Sequence, residues 1–127
     1  MRDLKMLKSL QWLTQDLSEV PESEDWLCEG ERSRLAGMRF PKRRNDWTLG
    51  RWTAKRAICA GRFREIPRDS MLEICTAADG APEPFLNEKP LDISLSISHS
   101  RDRSLCAVGP PGFRIGCDIE FVLQLKR

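Results

Sequence analysis

The stretch from Pro41 to Gly61 has the clearest helical pattern in this chain. Small and apolar residues recur in it every three or four positions, at Trp47, Gly50, Ala54, Ala57 and Ile58. That spacing predicts a helix with one buried stripe. A proline at the start and a glycine at the end are typical helix boundaries. We therefore expect one long helix that packs against the rest of the chain.

The pattern changes after Pro67, where short apolar runs alternate with turn-rich segments. These runs are MLEICTA, LDISLSISHS, SLCAVG and FRIGCDIEFV. Ile93, Leu95 and Ile97 alternate with serines, as expected of a strand with one face on a core. The sequence therefore predicts an α+β fold, with helices first and a small, mainly antiparallel sheet second.

The sequence does not decide the secondary structure of the first part of the chain. Residues 4–20 place leucines at roughly helical spacing, but LQWLTQDL also fits a strand, and periodicity does not separate the two. Between residues 21 and 38 we expect a helix that starts near Pro21 and is interrupted near Gly30.

The composition limits the classes of protein this chain can belong to. With 127 residues, 40% of them hydrophobic, it predicts a single domain, 1–127. The 21 basic and 19 acidic residues nearly balance, so net charge indicates no partner. The five cysteines form no CxxC pair, which argues against a disulfide framework and against a zinc ribbon. Without a membrane span or a secretion signal, we expect a soluble cytoplasmic protein.

Two features of the sequence indicate a site for phosphates. Basic residues crowd the predicted helix, at Lys42, Arg43, Arg44, Arg51, Lys55, Arg56 and Arg62. The only histidine, His99, ends the run ISLSISHS between two serines. Arginine, lysine, imidazole and hydroxyl groups all donate hydrogen bonds to phosphate oxygens. A solvated basic surface and a bystander histidine are the simpler alternatives.

A carboxylate pair lies near the end of the chain, in RIGCDIE. If that segment is a strand, Asp118 and Glu120 share a face. Like charges this close need a cation between them, and Mg²⁺ takes carboxylate oxygens and completes its shell with phosphate. The sequence therefore predicts a divalent-metal site, with Mg²⁺ and Mn²⁺ both acceptable, and a ligand that carries several phosphates.

Four stretches in order, RFPKRRNDWTLGRWTAKRAI, DGAPEP, LSISHSRDRSLCAVG and IGCDIE, resemble the phosphopantetheinyl transferases of the larger, surfactin-synthetase-activating type. The resemblance covers roughly residues 25–122. It implies transfer of 4′-phosphopantetheine from coenzyme A to a serine of an acyl or peptidyl carrier protein, with Mg²⁺ on the pyrophosphate and release of 3′,5′-ADP.

The same resemblance implies roles for individual residues. Asp118 and Glu120 would hold the metal as catalytic residues. His99 with Ser98 would contact the 3′-phosphate of coenzyme A, and Arg51 and Lys55 would hold phosphate. Gly80, Ala81 and Pro82 would form the loop against the adenine.

Two departures limit what the resemblance implies. The family often has Gly-Lys-Pro where this chain has Gly80-Ala81-Pro82, so only a backbone contact carries over. The W-x-x-K-E-A helix of the family's second half, which brings a third acid, is absent. We expect the chain to correspond to the N-terminal half of a pseudo-twofold enzyme, with little or no transferase activity alone.

Three further expectations remain open. An uncovered apolar sheet face predicts a homodimer, which could supply carboxylates in trans. Alternatively, the basic helix with Trp47 and Trp52 could bind nucleic acid, although the carboxylate pair disfavours this. A non-catalytic module that only contacts a carrier protein is the other alternative.

Overall fold

The computed structural model describes residues 5–7, 10–61, 63 and 65–112. In chain order its elements are strands β1 (Lys5–Leu7) and β2 (Leu10–Asp16), helices α1 (Glu29–Ala36) and α2 (Pro41–Ala60), and strands β3 (Leu72–Thr76), β4 (Pro82–Leu86), β5 (Lys89–Pro90), β6 (Ser94–Ser100) and β7 (Arg103–Gly109). The predicted α+β class is confirmed.

The strands form two antiparallel sheets, and the first sheet joins the beginning of the chain to its later part. The large sheet has the order β1-β2-β7-β6, and the small sheet has the order β3-β4-β5. Within residues 4–20, Lys5–Leu7 and Leu10–Asp16 are therefore strands, and only Leu17–Glu19 forms a single helical turn. Every second residue of β2 is buried, which is the burial pattern of a strand with one covered face. The expected order of helices first and sheet second was wrong for this segment.

Helix α2 confirms the predicted helix and its boundaries. Its buried stripe includes Ala54, Ala57 and Ile58, which pack against one face of the large sheet and the inner face of the small sheet. The residues they meet are Leu13, Leu72, Ile74, Cys106 and Val108. Leu95 and Ile97 of β6 pack against this core as the alternation predicted.

Helix α1 begins later than the sequence indicated, at Glu29 rather than near Pro21. The reason is its cap, because the Glu31 carboxylate accepts the backbone N–H of Cys28 at 3.1 Å and closes the first turn there. Gly30 lies inside that first turn and does not interrupt the helix. A second apolar cluster, Trp26, Leu27 and Leu35, packs α1 against α2.

Strands β4 and β5 were missed because prolines in DGAPEP indicated only a turn. Pro82 and Pro84 lie in β4 opposite Thr76 and Ile74. A proline cannot donate a hydrogen bond, so it is tolerated only where its strand partner needs no donor. Ile74 needs no donor from Pro84, because its N–H and carbonyl face the other side of β3, where they meet the Glu31 and Arg51 side chains.

Residues 113–127, with the predicted strand FRIGCDIEFV, lie outside the described residues. Within the part of the chain that the structure describes, no helix is long and apolar enough to cross a membrane.

Candidate functional site

A groove of about 490 Å³ opens between the first half of α2 and the end of β6. It is lined by Phe40, Lys42, Arg43, Asp46, Trp47, Arg51 and His99. Three of these side chains are cationic and one is an acid. Asp46 partly offsets the positive charge by pairing with Lys42 at 2.9 Å. The groove is therefore a basic site with aromatic walls, as suits an anionic ligand with a flat group.

The histidine lies against the helix because residue 50 has no side chain. A Cβ atom at Gly50 would sit 2.8 Å from His99 Cε1, closer than real Cβ contacts allow, and 3.0 Å from Nε2. The imidazole therefore occupies the space that any other residue would fill. The sequence predicted a helix that contains Gly50 and a strand that ends near His99. The contact between the two residues depends on how α2 crosses β6, which the sequence does not show.

Partial desolvation of the ring where it rests on α2 lowers the pKa of His99 below its usual value. Among its charged neighbours, Asp46 raises this pKa, while Arg51 and Lys42 lower it. The imidazole is therefore mainly neutral at neutral pH. A phosphate group placed beside it would favour the protonated form, so binding of such a ligand would be linked to proton uptake.

Arg51 is fixed at the inner wall of the groove. Its Nη2 donates to the Ile74 carbonyl and to Thr76 Oγ1, each at 3.1 Å, and its guanidinium lies 4.6 Å from the centre of the Trp47 ring. Burial lowers the pKa of Arg51, but an arginine remains charged at physiological pH. The predicted phosphate-binding arginine is thus in the groove and held in one orientation.

The loop at Gly80, Ala81 and Pro82 joins β3 to β4 next to Arg51. Gly80 has a φ of +91°, a conformation that glycine adopts without strain. The loop is closed by the Ala77 N–H, which donates to the Ala81 carbonyl at 2.8 Å. Because Pro82 pairs with Thr76, which contacts Arg51, the loop and the groove share one end of the small sheet.

Two predicted ligand contacts are not brought to the groove. Lys55 is fully buried, and its Nζ pairs with Glu31 Oε1 at 2.6 Å, so it has no exposed atom with which to contact a phosphate. Ser98 lies on the opposite face of β6 from His99, because neighbours along a strand alternate. Lys55 therefore lies in the core, and Ser98 lies on the outer face of the large sheet, so neither side chain lines the groove.

The basic residues of α2 do not form one surface. Arg44 donates to the Leu35 and Met38 carbonyls at the end of α1. Arg56 pairs with Asp69 and stacks on Trp52, with 4.7 Å between the guanidinium carbon and the ring centre. Lys42, Arg43 and Arg51 remain on the groove. The side chain of Arg62 lies outside the described residues.

The predicted metal ligands, Asp118 and Glu120, also lie outside the described residues. Their role remains a prediction from the sequence. Two carboxylates are a suitable donor set for Mg²⁺.

Sequence reasoning missed three groove residues. Phe40 is 70% exposed at the rim, and Asp46 and Trp47 line the wall. Trp47 was expected in the buried stripe but is only half buried. Arg43, Trp47 and Arg51 are spaced four apart on the helix, and this spacing could have identified the shared face.

One sequence pattern was also missed. Residues 52–57 read W-T-A-K-R-A, which keeps the spacing of the W-x-x-K-E-A motif but has Arg56 at the position of the acid. Helix α2 itself therefore offers a basic residue where that motif has a carboxylate.

Comparisons with known proteins show a shared fold. No family model and no curated protein sequence matches the chain. Solved structures do match. A Bacillus anthracis holo-(acyl-carrier-protein) synthase, described in complex with CoA (3′,5′-ADP), is 22% identical with a TM-score of 0.64, over 79% of this chain and 92% of that chain.

Two more holo-(acyl-carrier-protein) synthases are similar at this level. The Thermotoga maritima protein is 19% identical, with a TM-score of 0.64, over 86% of this chain and 66% of that chain. The Plasmodium yoelii protein is 15% identical, with a TM-score of 0.65, over 86% and 98%. The chain therefore has the α+β fold of holo-(acyl-carrier-protein) synthases.

Proposed function

We propose that this chain binds coenzyme A and belongs to the machinery that transfers 4′-phosphopantetheine to a serine of an acyl or peptidyl carrier protein. The observation that carries the proposal is that His99 and Arg51 lie together at the middle of α2, and that Arg51 contacts the end of the strand leading into the Gly80 loop, in a fold shared with synthases of this kind. We also propose that the chain corresponds to the N-terminal half of the larger, surfactin-synthetase-activating type.

The groove residues would bind and orient the phosphates of coenzyme A. Arg51 is held by Ile74 and Thr76, so its charge is fixed toward one position. Lys42 and Arg43 are exposed at the mouth of the groove, where they would attract an anionic ligand. His99 would contact a phosphate oxygen and gain a proton as it does so. The backbone of the Gly80 loop would contact the adenine.

Asp118 and Glu120 would hold Mg²⁺. When bound, the metal would neutralise the pyrophosphate of coenzyme A.

Transfer needs more than these residues provide. The serine oxygen forms a bond to the phosphorus that carries pantetheine, the bond from that phosphorus to the bridging oxygen breaks, and 3′,5′-ADP leaves. The serine proton needs a base. Within α2 the position of the motif acid is Arg56, which is already paired with Asp69. We therefore propose that the chain alone transfers slowly or not at all.

A second copy of the chain could supply what is missing. On the outer face of the large sheet, Trp12 and Leu105 are both partly exposed. We propose this face as the homodimer surface, and the mass of the protein in solution tests it.

The nucleic-acid alternative has less support. It needs a continuous basic face on α2, whereas Arg44, Lys55 and Arg56 are committed to contacts within the protein. It also predicts salt-sensitive binding that does not respond to magnesium.

The test is calorimetric titration of coenzyme A with and without Mg²⁺, for the wild type and for Asp118→Asn. We expect magnesium to strengthen binding by about tenfold in the wild type and not in the variant, because the amide is a poorer ligand for a hard cation. Asp92→Asn, a surface change in the described part of the chain, is the control and should behave as wild type.

Conversion of an apo carrier protein, followed by mass spectrometry, separates binding from catalysis in the same preparation. Binding without conversion supports a cofactor-binding half. Absence of coenzyme A binding, with or without metal, overturns the proposal, and salt-sensitive binding of an oligonucleotide would favour the alternative.

A further inference from the structure

Two side chains cover the open edge of β3. This strand is at the edge of the small sheet, so its outer backbone groups have no neighbouring strand. At Ile74, Glu31 Oε2 accepts the backbone N–H at 2.8 Å, and Arg51 Nη2 donates to the carbonyl at 3.1 Å. The two side chains thus supply the acceptor and the donor that a further strand would provide.

The carboxylate of Glu31 is itself fixed from two other elements. Lys55 Nζ of α2 donates to Glu31 Oε1 at 2.6 Å and to the Trp26 carbonyl at 2.9 Å. The backbone N–H of Cys28, at the start of α1, donates to the same oxygen at 3.1 Å. Both charged side chains are fully buried. One carboxylate therefore connects α1, α2 and β3.

A buried ion pair often contributes little net stability, because desolvation offsets the attraction between its charges. Stability is therefore a weak explanation for this pair. The position of the ion pair is more informative. Glu31 accepts the N–H of Ile74, and the carbonyl of the same residue accepts from Arg51 of the groove. Two residues further along β3, Thr76 contacts Arg51 and pairs with Pro82 of the loop.

We propose that Glu31 and Lys55 are a positioning pair, which fixes the β3–β4 hairpin against α2 and thereby sets the distance between the Gly80 loop and the groove. Neither residue touches a ligand. The inference rests on the proposed function in one respect, that an adenine nucleotide spans the loop and the groove.

The test compares two double variants that both remove the buried charges. Glu31→Gln/Lys55→Met keeps an amide oxygen that can accept from the Ile74 N–H, whereas Glu31→Leu/Lys55→Met keeps no acceptor. Neutral replacement of both partners avoids a buried unpaired charge, which is the most damaging outcome of a single change. The difference between the two variants therefore reports on the hydrogen bond to β3.

Hydrogen exchange tests the hairpin without any ligand. We expect amide protection across β3 and β4 to fall by at least about tenfold in the leucine variant relative to the glutamine variant. Protection in β6 and β7, which belong to the large sheet, should stay the same. Equal protection of the hairpin in the two variants would overturn the inference.

Two probes then test the distance between loop and groove. We expect 3′,5′-ADP, which reaches both, to bind about tenfold more weakly to the leucine variant, because a loosened hairpin must be ordered on binding. Inorganic phosphate, which needs only the groove, should change by less than about twofold. An equal loss for both probes, or no loss for either, would contradict a positioning role.

Two outcomes would leave only part of this test usable, namely a wild type that binds neither probe and a leucine variant that does not fold. If the wild type binds neither probe, the proposed function fails, and hydrogen exchange still decides whether the pair fixes the hairpin. If the leucine variant does not fold, the glutamine variant is compared with wild type. Its amide has one acceptor oxygen where the carboxylate has two, so the same changes should occur in the same direction and at smaller size.

Discussion

At the scale of residues, the position of His99 depends on Gly50. The imidazole rests on the helix backbone because no Cβ atom stands there. A glycine inside a helix costs about 1 kcal/mol relative to alanine, so Gly50 is retained at the expense of helix stability. The groove thus gains an imidazole beside Arg51 that an ordinary helix residue would push away.

Gly50→Ala should separate stability from binding. We expect the added methyl group to displace the His99 ring and to weaken 3′,5′-ADP binding by about tenfold, which corresponds to loss of a charge-assisted hydrogen bond. The free energy of unfolding should change by less than about 1 kcal/mol, since helix propensity offsets the clash. Calorimetry and urea denaturation measure the two effects.

Gly37→Ala is the matched control. A Cβ atom there would lie 3.6 Å from the nearest atom, at ordinary contact distance, and Gly37 has a negative φ. It should leave nucleotide affinity unchanged. An equal loss of affinity in both variants would contradict the role assigned to Gly50.

The lowered pKa of His99 predicts a pH dependence of stability. The unfolded chain binds a proton near pH 6.5, whereas the folded protein binds it only at lower pH. Between the two values the unfolded state holds more protons, so the free energy of unfolding falls as pH decreases through this window. With a single histidine in the chain, the difference between wild type and His99→Gln isolates this effect.

Urea denaturation of both proteins at about pH 5 and about pH 7.5 measures that difference. Nuclear magnetic resonance gives the His99 pKa directly, and it should rise when 3′,5′-ADP is added. A pKa that stays the same on addition of a bound nucleotide would mean that no phosphate lies beside the imidazole.

At the scale of elements, adjacent arginines of α2 have different roles, one on the groove and one in the contact with α1. Arg43 is exposed on the groove, whereas Arg44 points to α1 and donates to the carbonyls of Leu35 and Met38. The sequence showed a basic helix but did not show which arginines lie on the groove. That division follows from where α1 ends, at Ala36, because the carbonyls of Leu35 and Met38 then lie beside Arg44.

Arg43→Met should therefore lower ligand affinity, whereas Arg44→Met should lower the stability of the fold. We expect the first to weaken 3′,5′-ADP binding by roughly threefold to tenfold at low salt and to change stability by less than about 0.5 kcal/mol. The second should cost about 1.5–3 kcal/mol of stability, because two carbonyls lose a charged donor, and leave the affinity of the folded protein unchanged. Denaturation and calorimetry on both variants would contradict this division if the effects were reversed.

At the scale of the whole molecule, the sequence predicted elements better than it predicted their neighbours. Helix α2 and strands β3, β6 and β7 were predicted because period and boundary residues are local signals. Strands β1 and β2 were left open because the partner of β2, β7, lies far along the chain, and β4 was missed because its prolines indicated a turn. The roles of His99, Arg51 and the Gly80 loop remain predictions from the resemblance to a family. The burial of Lys55 could not be predicted, since it depends on Glu31 arriving from another helix.

The covered edge of β3 also bears on how molecules of this protein behave toward one another. An edge strand with free backbone groups is a template onto which a strand of another chain can add, and it is a common starting point of aggregation. Here Glu31 and Arg51 occupy the backbone groups of Ile74, and prolines interrupt the neighbouring strand. The side chains that hold the β3–β4 hairpin beside the groove therefore also occupy an edge onto which a strand of another chain could otherwise add.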